Sequence, residues 1–244
     1  MTASQSRDAG IASPALLMAD PARAAMLTAL LDDRPLAASE LARVAAVSAP
    51  AASAHLAKLL DGGLVTVVRQ GRHRYYRLAG AEVAAAIEAL SQLGAPAPVR
   101  SLRQSRLAAA LAEARTCYDH LAGRAGVELL DSMLRADMLA EVNGATDLAS
   151  VRYRLTRSGA SRLASFGMNP DPPKISRRRF AGACLDWTQR QPHLGGALAA
   201  AITARLFELG WIERGSRSRS VRITPAGAAG LTATFGWEGG ATAA

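Results

Sequence analysis

Cysteine is nearly missing from this 244-residue chain: Cys117 and Cys184 are its two. They lie far apart, unlike the dense spacing of a disulfide-stapled secreted domain, so a reducing cytoplasm is the expected home. No stretch approaches the roughly 18 consecutive apolar residues of a membrane span, and no basic segment followed by an apolar one opens the chain, so neither insertion nor export is expected. Aromatic residues make up 5% of the chain. Few aromatics beside abundant Ala favour close-packed helices with short strands. The sequence also lacks a Ser/His/Asp order, a Gly-rich phosphate loop and paired His at i, i+4, so no enzyme activity and no cofactor are expected.

Acidic residues are in deficit, 20 against 29 Lys and Arg, for a formal charge of +9. Such a balance attracts a polyanion, although an Arg- and Ala-rich composition alone would produce it, so charge supports a nucleic-acid partner without establishing one. The length accommodates two domains, each with its own core.

Residues 1–10 are small and polar and read as a disordered tail. Ile11 to Met18 is a short apolar helix; Asp20-Pro21 then offers an N-cap and a first-turn Pro ahead of Met26, Leu27, Leu30 and Leu31 at helical spacing. A third, short helix begins at about Ser39. Ser48 caps a fourth, whose Leu56, Leu59 and Leu60 face a core before Gly62-Gly63 ends it. Leu64 to Gln70, a turn at Gly71-Arg72, and His73 to Leu78 form a basic hairpin. A helix over Ala81 to Leu93 closes the first domain, residues 11–93, and a Pro- and Ala-rich linker, 94–101, leads to a second domain at 102–244. The fold class expected is mainly α with small β-hairpin wings: a winged helix-turn-helix followed by two winged-helix-like repeats.

A short helix, a tight turn, a longer helix and an immediate basic hairpin is the order in which the longer helix enters the major groove and the hairpin meets phosphates. The segment resembles the ArsR/SmtB family of bacterial repressors over residues 11–93. The likeness is carried by Asp20-Pro21-Ala22-Arg23, Ser39-Glu40-Leu41-Ala42, Ser48-x-x-x-x-Ser53-x-His55-Leu56-x-x-Leu59, Gly63-Leu64-Val65 and Arg69-x-Gly71-Arg72-x-x-Tyr75-Tyr76-Arg77-Leu78. It implies that Ser48, Ser53 and His55 lie on the DNA-reading helix and that Arg69, Arg72, His73 and Arg74 lie on the wing. It also implies a homodimer on a double-stranded operator, joined through terminal helices such as 11–18 and 81–93. Two departures stand out. Ala49, Ala51, Ala52 and Ala54 occupy places where relatives put hydrogen-bonding side chains, so shape and backbone contacts gain weight over base readout. The family's two familiar metal sites are absent: no Cys lies in Glu40 to Ala45 and no His in Ala81 to Leu93.

The second half repeats itself. Cys117-Tyr118-Asp119-His120 matches Cys184-Leu185-Asp186-Trp187, and Arg154-Leu155-Thr156-x-x-Gly159 matches Arg222-Ile223-Thr224-x-x-Gly227. The copies span about 103–167 and 175–237, each read as helix, helix, strand, turn, strand, helix, with Cys117 and His120 on one helical face. A sensor pocket lined by Cys117, His120, Cys184, Trp187 and His193 would take a small-molecule or soft-metal effector; buried cysteines with a core Trp187 would give the same pattern without one. The expected function is a ligand-responsive dimeric repressor. A winged-helix protein-interaction module and a non-specific chromosome-binding protein are the alternatives, told apart by how strongly affinity depends on DNA sequence.

Overall fold

The computed structural model describes residues 10–71, 73–94, 101–142, 144–145, 147–169, 179–215 and 219–239. The chain divides between Leu90 and Ser91 into two units. The expected tail, most of the linker and Arg72 lie outside the described residues.

In the first unit α1 (Ala12–Met18) buries none of its side chains. Asp20 starts α2 (Pro21–Ala29) by accepting the Arg23 amide at 2.9 Å, with Pro21 in the first turn where no amide hydrogen is needed. A short strand that the sequence did not announce, β1 (Leu36–Ala37), precedes α3 (Ala38–Val44), whose Glu40 accepts the Ala37 amide at 2.9 Å. Ser48 opens α4 (Ala49–Asp61) by accepting the Ala51 amide at 3.4 Å, and Pro50 sits in the first turn. The hairpin of β2 (Val65–Gln70) and β3 (His73–Leu78) turns at Gly71, with φ +58, and β1 pairs with the free edge of β3. α5 (Ala81–Leu93) follows. Met26, Leu27, Leu41, Leu56, Leu59 and Leu78 are at most 1% exposed and form the core beneath α4 and the hairpin. Each such Leu is worth about 1.5–3 kcal/mol of burial, enough to fix which face of α4 points outward.

The second unit opens with α6 (Leu102–Glu113), and then one order of elements occurs twice. In the first run β4 (Arg115–Cys117) and β5 (His120–Ala122) make a hairpin, α7 (Arg124–Arg135) follows, then the hairpin β6 (Leu139–Glu141) and β7 (Tyr153–Leu155), then α8 (Arg157–Ser165). In the second, β8 (Gly182–Leu185) and β9 (Pro192–Gly195) precede α9 (Ala197–Glu208), β10 (Ile212–Arg214), β11 (Val221–Ile223) and α10 (Pro225–Phe235). A hairpin thus stands where the sequence pattern around each cysteine suggested a helix. Cys117 and His120 consequently face each other across two strands, and the helical face expected for them does not exist.

The recurrence extends to single hydrogen bonds. Thr156 and Thr224 cap α8 and α10 by accepting the amides of Gly159 and Gly227, both at 2.9 Å. Gly123 and Gly196 precede α7 and α9 at φ +77 and +99, where an added Cβ would come within 3.0 and 2.8 Å of backbone carbonyls. The two runs also interlock. Thr116 donates to the Arg219 carbonyl at 2.9 Å and Val221 to Ala114 at 2.8 Å, while Ala183 donates to Val151 at 3.4 Å and Tyr153 to Ala181 at 3.2 Å. Each opening hairpin is therefore hydrogen-bonded to the closing hairpin of the other run. Leu130, Met133 and Leu163 from the first run join Leu206, Ile223 and Phe235 from the second in one core.

Candidate functional site

Burial of Ala52, Leu56 and Leu59 turns the opposite side of α4 to solvent, and Ser53, Ala54, Ala57 and Lys58 make up that outer face. Ser53 spends its hydroxyl on the Ala49 carbonyl at 3.0 Å. His55 lies on α4 as expected; its side chain is 21% exposed and its Nδ1 lies 3.6 Å from the Asp20 carboxylate, against the start of α2. Lys58, which the sequence reading passed over, is the sole cation of α4 and stands on the outer face. Its signal was available, one turn beyond Ala54 and opposite the Leu stripe.

On the hairpin Arg69 pairs directly with Arg74, and Gln70 with His73, all four exposed. Like charges directly opposite on a two-stranded ribbon weaken it, and a polyanion laid across them removes that cost. Exposed apolar side chains gather on the flanking helices: Leu16 of α1 and Leu90 and Leu93 of α5 are 70%, 50% and 83% exposed.

The second unit brings four of the five expected effector residues together. Cys117 and His120 are register partners in the first hairpin, and Cys184 and His193 are register partners in the second. The sulfurs of Cys117 and Cys184 lie 3.9 Å apart, the Nε2 atoms of His120 and His193 3.2 Å apart, and all four ligand atoms lie within 4.8 Å of one another. His193 is fully buried, and Cys117 and His120 are 4% and 6% exposed. The Cys184 sulfur against it, and then burial, push the Cys117 thiol up to about 12. Trp187 is outside the group; its ring covers the Arg115 guanidinium, 4.9 Å from the ring centre. The structural counterpart of His120 is His193, since both face the cysteine of their own hairpin. The repeated sequence pairs His120 with Trp187 because the second hairpin has a longer loop, Asp186 to Gln191.

Carboxylates back both imidazoles. Asp119 lies 3.2 Å from Nδ1 of His120, and Asp186 lies 3.7 Å from Nδ1 of His193. Asp186 is anchored: it accepts from Arg115 at 2.9 Å, from the Gly123 amide at 2.6 Å, and from the Thr188 amide and hydroxyl at 2.8 and 2.6 Å. Burial opposes its charge, but Arg115 and these donors outweigh burial and hold the carboxyl down at about 2. A cleft of about 530 Å³ elsewhere in the unit, lined by Arg162, Phe166, Arg205 and Trp211 among others, contains none of the four ligand groups.

A helix-turn-helix domain family matches residues 18–68. The chain is 41% identical over 217 residues to an uncharacterized HTH-type transcriptional regulator of Bacillus subtilis, covering 89% of this chain and 93% of the relative. Three solved structures match between 33% and 38% of the chain. HlyU from Vibrio cholerae is 36% identical with a TM-score of 0.31, over 33% of this chain and 87% of that one. The homodimeric winged helix-turn-helix DNA-binding domain of a possible ArsR-family regulator from Mycobacterium bovis is 33% identical with a TM-score of 0.33, over 38% of this chain and 88% of that one. The cadmium metal-sensor CMTR from Mycobacterium tuberculosis is 31% identical with a TM-score of 0.31, over 38% of this chain and all of that one.

Proposed function

The chain belongs to the HTH-type transcriptional regulators, and from that premise we propose that it acts in the cytoplasm as a dimeric, effector-responsive repressor of the ArsR/SmtB type and not as an enzyme. The observation that carries the reading is the sequence of surfaces in the first unit: a small-residue outer face on α4, followed at once by the paired Arg69 and Arg74. Side chains as short as Ser53, Ala54 and Ala57 let the helix approach the groove floor closely, Lys58 reaches a phosphate, and the hairpin cations hold the adjoining backbone. With so few hydrogen-bonding groups on α4, groove shape supplies much of the discrimination. Two copies joined through α1 and α5 would place two such helices on half-sites one helical turn apart. The second unit is the effector-binding part, and the buried Cys and His group supports that assignment. Among the described residues no single helix is long and apolar enough to cross a membrane.

The wing assignment predicts that Arg69→Ala with Arg74→Ala weakens binding to every DNA sequence alike. The slope of log affinity against log salt then falls by about two units. Fluorescence anisotropy across a salt series measures it, and an unchanged slope removes the hairpin from the interface. The dimer assignment predicts that Leu90→Glu converts a dimer into a monomer in sedimentation equilibrium and lowers operator affinity with it. A wild-type monomer at micromolar concentration that still binds a two-fold operator would contradict it.

A further inference from the structure

We propose that Cys117, His120, Cys184 and His193 form a closed tetrahedral site for a divalent cation of the zinc class, built where the two repeated hairpins of the second unit meet. The inference deepens the effector reading by naming the ligand's chemistry, and it rests on that reading only for the regulatory consequence. The site itself is argued from geometry.

The first argument is shape. A tetrahedral zinc with sulfur ligands at about 2.3 Å and imidazole nitrogens at about 2.0–2.1 Å has a sulfur–sulfur edge of about 3.8 Å and a nitrogen–nitrogen edge of about 3.3 Å. The protein presents those atoms 3.9 and 3.2 Å apart. A disulfide needs the sulfurs at about 2.05 Å and would leave the two imidazoles facing each other with nothing between them.

The second argument is the orientation of the histidines. Both turn Nε2 toward the centre and Nδ1 toward a carboxylate, Asp119 in one hairpin and Asp186 in the other. A metal-bound imidazole is commonly held this way: the outer nitrogen carries the hydrogen toward a carboxylate and the inner nitrogen offers its lone pair to the metal. The two Nε2 atoms lie 3.2 Å apart, within hydrogen-bonding distance of each other, and a cation between them would take both as ligands with each ring's hydrogen on Nδ1. Nδ1 of His120 is within hydrogen-bond reach of Asp119, whereas Nδ1 of His193, 3.7 Å from Asp186, is buried without a hydrogen-bond partner and would gain that carboxylate by a small shift on ligation.

The third argument is charge. On binding, the two thiols lose their protons to solvent and become thiolates, so two negative ligands meet one dication and the buried centre is neutral. Two sulfurs and two imidazole nitrogens select a borderline-soft cation over magnesium or calcium. Four protein ligands leave no position for water or substrate, which marks a site that holds structure together and is filled or emptied as a unit. Each ligating hairpin is also hydrogen-bonded to the other run, so the cation cross-links both runs and its loss loosens both.

The test uses the full chain, purified under reducing conditions, stripped with a chelator and titrated with cobalt(II). One cobalt per chain is expected, with the intense visible bands of a tetrahedral centre and a thiolate charge-transfer band, both bleached by one equivalent of zinc. Cys184→Ser should lose about half of the charge-transfer intensity, and His120→Asn should weaken zinc binding at least tenfold. Since a variant can fail for reasons of folding, X-ray absorption of the zinc-loaded wild type supplies a reading that needs no substitution: two sulfurs at about 2.3 Å and two nitrogens at about 2.0 Å. A pale octahedral cobalt spectrum, a shell of oxygen and nitrogen alone, or a metal-free Cys117–Cys184 disulfide in protein trapped from cells would each overturn the proposal. None of these readouts involves DNA. Normal zinc loading with no operator binding would sink the repressor reading alone, and normal operator binding by a chain that loads neither zinc nor cobalt would sink this one alone.

Discussion

Asp186→Ala is expected to cost the second unit about 3–5 kcal/mol, because it leaves the Arg115 guanidinium as an unpaired charge in the interior. Arg115 and Asp186 are both fully buried and lie 2.9 Å apart. The carboxylate also serves the Gly123 amide ahead of α7 and the turn at Thr188 and Gln189, so its removal strips partners from both runs. All three tryptophans, Trp187, Trp211 and Trp237, belong to this unit, so intrinsic fluorescence during urea unfolding reports on it selectively. The measurement belongs in chelator, which keeps any metal at His193 out of the result. Arg115→Met combined with Asp186→Leu should regain most of the loss, since exchanging a buried ion pair for apolar groups of similar volume is often neutral or stabilising. A loss below about 1 kcal/mol for Asp186→Ala would mean that the pair is hydrated and that the account of this network is wrong.

Ala54→Glu is expected to weaken DNA binding at least 100-fold, on operator and unrelated DNA alike, without changing the fold. Ala54 is exposed on the outer face of α4. An exposed substitution of one good helix former by another stays within about 0.5 kcal/mol in stability. In the groove the added carboxylate meets phosphates on both sides, and a like-charge juxtaposition of that kind costs several kcal/mol, of which 100-fold requires about 2.7. Ala54→Lys is the control of opposite sign: tighter binding at low salt, with a salt slope steeper by about one unit. Unchanged affinity in both variants would take α4 out of the groove.

The two units differ in how much of them the sequence discloses, and the difference has a physical origin. In the first unit the signals are local. Asp20-Pro21, Ser48 with Pro50, and Gly71 between two runs of strand-forming residues each fix an element boundary through a cap or a turn, and the structure places those boundaries at the expected residues within one position. β1 escaped notice because two residues have no period, and Leu36 and Ala37 become a strand only by pairing with Tyr76 and Tyr75. In the second unit the opening hairpins have strands of three or four residues. Beyond the few bonds within each hairpin, their hydrogen bonds run to partners about a hundred residues away for β4 and about thirty for β8, and strands this short carry too little period to be told from a helix.

The candidate site was legible in composition and not in geometry. Cys117 and Cys184 stand out as equivalent and His193 belongs to the expected pocket, but the unequal loops align Trp187 with His120 in place of His193. A better guide was present further along: His120-Leu121-Ala122-Gly123 and His193-Leu194-Gly195-Gly196 share the pattern His, Leu, small residue, Gly, and each Gly takes a positive φ immediately before a helix. Aligning the copies on those glycines pairs the histidines. Lys58 was overlooked for a simpler reason, that a lone cation near the end of a helix also reads as an interaction with the last carbonyls. His55, carried over by resemblance, lies on α4 with its Nδ1 3.6 Å from the Asp20 carboxylate, a neighbour at the start of α2 that no local pattern announces.

Footprinting of the wild-type protein on the DNA upstream of its own gene, at near-physiological salt, shows whether it reads an operator. A sequence-specific dimer gives a compact, roughly palindromic protected site whose half-sites lie about 10 base pairs apart, with affinity at least 1,000-fold above that for unrelated DNA. Uniform coverage that disappears as salt rises, with no site preferred, would contradict that reading and identify the protein as a sequence-independent DNA coat.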